Sequence, residues 1–115
     1  MLKYDDVIAM LMLEFPSFSF EDDEWELPYV VAEHFAGFVL EAYNVQDEEL
    51  YKKGLAFVET LHLSNVASVK ELATAGFLKS IQKTWPEELL KKGIPYEDLG
   101  IETKRRWDTL DELLG

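Results

Sequence analysis

Between Ser64 and Ile81 the apolar residues recur at the spacing of an α-helix. At about 100° per residue, Val66, Val69, Ala73, Gly76, Phe77 and Ile81 fall on one stripe, while Glu71, Lys79, Gln82 and Lys83 lie away from it. Such a stripe has to be buried against other elements, and Ala73 with Gly76 at its middle lets a neighbouring helix come close. The alternation Ser17-Phe18-Ser19-Phe20 suits an extended segment, but the chain holds no second strand pattern to pair with it. The partners of the stripe are therefore expected to be helices.

The rest of the chain supplies them. Asp5 to Phe15 reads as a first helix, rich in Leu, Met and Ala, with Asp5 and Asp6 at its positive end and Pro16 as its stop. A loop, Ser17 to Leu27, mixes aromatic side chains with carboxylates. Pro28 then starts an almost wholly apolar helix to Tyr43, buried on most sides. After a turn at 44–46, Asp47 caps a helix with Glu48 and Glu49 in its first turn and Leu50, Leu55, Phe57, Val58 and Leu61 on its apolar face. His62 to Ser64 connects it to the opening helix, with Ser64 as N-cap. Pro86, Glu87, Glu88, Lys91, Lys92 and Gly93 punctuate one short helix. Gly100 allows a turn, and residues 102–114 resume helical spacing with Trp107, Leu110 and Leu114 on one side. Glu102 with Arg106, and Lys104 with Asp108, form i,i+4 pairs. The expected fold is all-α: a single compact domain over residues 1–115, made of five to six short helices with a central αα-hairpin at about 47–62 and 64–84.

A chain of 115 residues, 48% hydrophobic and with three Trp, is large enough to fold around its own core. It has no cysteine, which excludes disulfides, thiol nucleophiles and Cys-based metal sites and suits a reducing compartment; a cytoplasmic location is expected. The formal charge of −12 is unevenly placed. Residues 1–50 carry 13 acidic residues and one basic residue, Lys3, whereas residues 51–115 carry 10 of each. The acidic half repels phosphate backbones, which argues against direct nucleic-acid binding, and steers a basic partner toward itself. The same charge also serves solubility. The apolar run Val7 to Leu13 spans seven residues, too few for a membrane helix, and it lacks the basic front of a signal peptide. No membrane partner is expected.

Chemistry-bearing motifs are scarce. His34 and His62 fall in no zinc-binding frame, and Glu33 beside His34 points elsewhere on a helix, so each histidine is assigned a structural or surface role. No G-x-S-x-G surrounds a serine. Gly76-Phe77-Leu78-Lys79-Ser80 has a Lys-Ser pair but lacks the glycine of a phosphate loop and reads as mid-helix. The acidic run Glu21 to Glu26 lacks the ligand spacing of a calcium loop. No catalytic, cofactor-binding or metal residue is assigned. What remains is a recognition surface: Glu21, Asp22, Asp23, Glu24, Trp25 and Glu26 set an aromatic anchor among carboxylates, as protein interfaces do. Phe15, Phe18 and Phe20 are assigned to the core; Trp25 suits core and interface equally. Lys104-Arg105-Arg106 reads as a solvated helix face that would also meet the acidic half of a second copy.

Phe38-Val39-Leu40, Leu55-Ala56-Phe57-Val58-Glu59, Ser64, Val69 and Leu72-Ala73-Thr74-Ala75-Gly76-Phe77-Leu78 resemble a family of small all-helical bacterial proteins associated with the immunity proteins of bacterial toxin systems. The likeness covers roughly residues 28–83 and brings no catalytic residues; where the family pattern has Glu after Phe-Leu, this chain has Lys79. It implies an all-helical fold and an inhibitory role against a basic toxin domain such as a nuclease. The leading expectation is thus a non-enzymatic protein that binds a basic protein partner through its acidic half. Two others stand beside it: an enzyme or small-ligand protein with a pocket on helix 28–43 using Glu33, His34 or Tyr43, and a homo-oligomeric structural protein.

Overall fold

The computed structural model describes the backbone of residues 4–18 and 28–114 and the side chains of residues 6–18 and 28–110. Helix α1 (Tyr4–Glu14) stops two residues before Pro16, and α2 (Pro28–Asn44) takes Pro28 at its first position, where the missing N–H costs nothing. After α3 (Glu48–His62) comes α4 (Ala67–Glu71), which runs without a break through a π-helical segment (Leu72–Leu78) into α5 (Lys79–Thr84). The short α6 (Glu87–Lys91), a single 3-10 turn (Tyr96–Asp98) and α7 (Ile101–Leu114) complete the chain. Among the described residues there is no strand, and the all-α expectation holds. The radius of gyration is 13.2 Å, that of one packed unit of this length, for which about 13 Å is expected.

The π segment lies at the centre, against α2, α3 and α7. Because it is covered on several sides, it buries Leu72 and Leu78 as well as the expected Ala73, Gly76 and Phe77. A single stripe was too narrow a description for it. Small residues let α2 approach: a Cβ on Gly76 would lie 3.2 Å from the Ala32 methyl and 2.9 Å from Leu72 Cδ1. Around this contact Phe15, Phe18, Phe35, Phe38, Phe57 and Phe77 interlock, with Phe15 and Phe35 edge to face at 4.9 Å and Phe35 and Phe77 at 5.5 Å. Such aromatic pairs contribute about 0.5–1.5 kcal/mol each beyond the burial of their area. Phe15 and Phe18 are core residues, as expected; Phe20 and Trp25 lie outside the described residues. Lys53 reaches across from α3 to donate to the Glu14 carbonyl at 2.7 Å, closing the end of α1, and its ammonium stands 5.2 Å from the Phe15 ring centre.

Helix ends explain where local sequence was sufficient and where it was not. Asp47 caps α3 by accepting from Leu50 N at 3.2 Å. Gly93, at φ +81°, ends α6 in a Schellman motif: Ile94 N donates to Leu89 O and Gly93 N to Leu90 O. The same pair of bonds ends α2, Asp47 N to Ala42 O and Gln46 N to Tyr43 O, but the left-handed position is filled by Gln46 at φ 62°. Ser64 is not the cap of the opening helix. Its hydroxyl accepts from Val66 N at 3.1 Å, a local turn that delays the helix, so Val66 becomes the N-cap residue. Trp85 closes the far end, its indole N–H donating to the Ala36 carbonyl at 3.0 Å. On α7, Glu102 pairs with Arg105 at 3.0 Å and with Arg106 at 3.6 Å. The expected partners Lys104 and Asp108 instead both engage Tyr96, the first over its ring and the second accepting its hydroxyl.

Candidate functional site

The acidic segment Glu21, Asp22, Asp23, Glu24, Trp25 and Glu26 lies outside the described residues. The residues of the alternative pocket on α2 are not gathered in one place. Glu33 and His34 are exposed in the middle of the helix; Glu33 borders a groove of about 170 Å³ with Tyr29, Gly76, Lys79 and Lys83. Tyr43 stands about 15 Å further along the helix, at 1.5 Å per residue, and lines a different cleft. Lys79 and Ser80 are helical, and their backbone offers no phosphate cradle.

His62 is buried, at 2% exposure, and so is Thr103, at 0%. A connected chain of hydrogen bonds runs from the Glu59 carboxylate through Thr103 and His62 to Thr74. The Thr103 hydroxyl donates to Glu59 Oε1 at 2.7 Å. Its single proton is therefore committed, and at its 2.9 Å contact with His62 Nδ1 it has to accept, which places the imidazole proton on Nδ1. Nε2 is then the acceptor for the Thr74 hydroxyl at 2.9 Å. Burial, reinforced by the nearby Arg106 guanidinium, lowers the His62 pKa from 6.5 to about 4, against the opposing pull of Glu59 and Glu102. For Glu59, burial alone would raise the pKa. The hydroxyl and backbone N–H of Thr103 and the N–H of Glu102 outweigh it and hold the carboxyl below its usual value. Thr103 N donates at 2.8 Å and Glu102 N at 3.2 Å, so a carboxylate on α3 caps the first turn of α7. Gly100 leaves the room for it: a Cβ there would lie 2.3 Å from Glu59 Cδ. With His62 and Thr103 sealed from solvent, this network fastens α7 to α3 and to the π segment.

Among the described residues, a concave site with mixed chemistry lies at the junction of α2, α3 and the 3-10 turn, a cleft of about 460 Å³. The C-terminal end of α2 supplies Tyr43, the Schellman turn Gln46, the start of α3 Glu48, Tyr51 and Lys52, and the 3-10 turn Asp98. The Tyr43 and Tyr51 rings pack against each other with centroids 5.3 Å apart at 56°, Tyr51 buried and Tyr43 half-buried. The Tyr51 hydroxyl donates to Asp98 Oδ2 at 2.8 Å. Its pKa is pushed well above the ordinary tyrosine value by burial, by the bond to Asp98 and that residue's charge, and by Tyr43. Lys52 is held by Glu48 at 2.8 Å, a pair exposed to solvent. Of these residues the sequence pointed to Tyr43 alone. Tyr51 and Asp98 are 47 positions apart, and no local spacing signals their meeting.

Among the described residues, no group of three or more His, Cys, Asp or Glu is placed to hold a metal ion, and no helix is long and apolar enough to cross a membrane. A family model described as "Domain of unknown function (DUF7674)" matches residues 8–114. No curated protein and no solved structure matches the chain.

Proposed function

We propose that this chain, which belongs to the DUF7674 family, is a non-enzymatic cytoplasmic protein that binds a basic protein partner through its acidic N-terminal half, in the manner of an immunity protein neutralising a basic toxin domain. One observation carries the reading. The whole formal charge of −12 resides in residues 1–50, and the described carboxylates there, Glu14, Glu33, Glu41, Glu48 and Glu49 among them, are exposed. A field of one sign over one region speeds encounter with an oppositely charged surface and disfavours acidic competitors. The likeness to immunity-type proteins supports the same reading. The Glu21 to Glu26 segment, with Trp25 as an aromatic anchor among carboxylates, is the part of this half best suited to form the contact.

The test is affinity capture from the source cell's lysate at low and high salt, with the wild type and a variant carrying Asp22→Lys, Asp23→Lys and Glu24→Lys. The expected result is a basic protein retained by the wild type at low salt and lost with the variant or at high salt. Equal capture by both proteins at low salt would refute the assignment.

A further inference from the structure

We propose that the cleft between α2, α3 and the 3-10 turn receives an arginine side chain of the basic partner; this rests on the partner-binding reading above and gives it a socket. The first support is shape and chemistry. Tyr43 is half-buried, lines the cleft and offers a ring face against which a planar guanidinium stacks, while Tyr51, 5% exposed, packs behind it at 5.3 Å. The Asp98 carboxylate lines the same cleft at the Tyr51 hydroxyl. The Tyr51 hydroxyl holds its Oδ2, which fixes the carboxylate while leaving Oδ1 open to a donor in the cleft.

The second support is charge. Asp98 and Glu48 line the cleft, with Asp47 and Glu49 beside Glu48 in the chain. Lys52 is the cation among the described lining residues; Glu48 holds it at 2.8 Å and its charge also acts on Asp98, so the two lining carboxylates outnumber it by one. The local field therefore favours a cation.

The third support is the backbone beneath the cleft. Gln46 occupies the left-handed position of a Schellman motif that glycine fills in the equivalent turn at Gly93. Keeping a side chain there costs conformational energy. The Gln46 side chain lines the cleft, where its amide oxygen can accept from a guanidinium N–H. Recognition of a ligand gives a reason for that strain.

The experiment is a titration of the full chain with Nα-acetyl-argininamide, followed by amide chemical shifts in NMR, with Nα-acetyl-lysinamide as the comparison. Asp98→Asn keeps an acceptor for the Tyr51 hydroxyl but removes the charge, and Tyr43→Leu removes the stacking face; circular dichroism verifies that both fold. Saturable shifts confined to residues 42–52 and 96–98, with affinity at least about five-fold weaker in each variant and for the lysine probe, are expected from loss of stacking and of the charged fork. Absence of saturation, or equal binding by the variants, would mean diffuse attraction to an acidic surface and would overturn the proposal. Capture of a basic partner that is indifferent to Asp98→Asn overturns the socket while leaving the partner reading intact. Probe binding that depends on Asp98 and Tyr43, with no basic protein captured by the wild type, supports the socket and removes the partner reading.

Discussion

Lowering the pH from 7 to 5 should cost the fold up to about 2 kcal/mol through His62 alone. In the folded protein burial and Arg106 lower its pKa from 6.5 to about 4, so between those values the unfolded chain binds the proton more readily than the folded one. Stability therefore rises with pH across that window; it is complete above 6.5 and is lost as the pH falls toward 4. At pH 5 the unfolded imidazole is almost fully charged while the folded one is mostly neutral, and the linkage relation converts that difference to about 2 kcal/mol, against about 0.2 kcal/mol at pH 7. Protonation also disturbs the bonding pattern, because a proton on Nε2 turns the Thr74 hydroxyl from donor to acceptor at that contact. Glu59, whose pKa is also lowered, contributes stability that is present above the ordinary carboxylate pKa and lost below it, in a lower window. The assay is urea unfolding of the wild type and His62→Gln at pH 7, 6 and 5. The glutamine variant should be less stable at pH 7 by about 1–3 kcal/mol, having lost one buried partner. The gap should narrow by up to about 2 kcal/mol at pH 5, since neutralisation of the acidic half acts on both proteins alike. Parallel pH profiles for the two proteins would refute the assignment of the neutral, Nδ1-protonated imidazole to this site.

Three substitutions of glycine or glutamine test the backbone arguments by thermal unfolding. Gly37→Ala, at an exposed interior position of α2 where an added Cβ meets nothing within 4 Å, should stabilise by about 0.5–1 kcal/mol, a few degrees in Tm for a chain this size. Gly100→Ala places a Cβ against Glu59 and should cost about 1–3 kcal/mol, with faster amide exchange at Glu102 and Thr103 as the sign that the cap has moved. Gln46→Gly relieves the left-handed strain at φ 62° and should stabilise by up to about 1 kcal/mol; a destabilised variant would show that the side chain is held by the fold and is not spare for a ligand.

The features that local sequence revealed are those whose physics is local. Asp47 caps α3 because its side chain reaches an N–H three residues on, and Pro86 with Gly93 brackets α6 because fixed and left-handed φ values act where they stand. The stripe at Val69, Ala73, Phe77 and Ile81 marked the burial of the central helix, but Leu72 and Leu78 are buried as well in a segment against which α2, α3 and α7 all pack. Ser64 reads as a cap by type, and only its bond to Val66 shows that it turns the chain instead. Gly100 reads as turn freedom, whereas its role is to make space for a carboxylate from α3. His62 was legible as a structural histidine from the absence of any metal frame. Its partners Thr74 and Thr103, like the meeting of Tyr51 with Asp98, arise from tertiary packing that no periodicity encodes.

The capping of α7 by Glu59 has a consequence for cooperativity. A helix capped by its own flanking residue can fray and re-form by itself, but the first N–H groups of α7 find their acceptor on α3. Opening the start of α7 would strand Glu59 without its donors and uncover His62 at the end of α3, so neither event is cheap in isolation. The last turns of α3, the π segment at Thr74 and the first turn of α7 should therefore exchange their amide protons as one unit, at a free energy near that of global unfolding. Although it is the final helix in the chain, α7 is bound at its near end to the most cooperative part of the molecule.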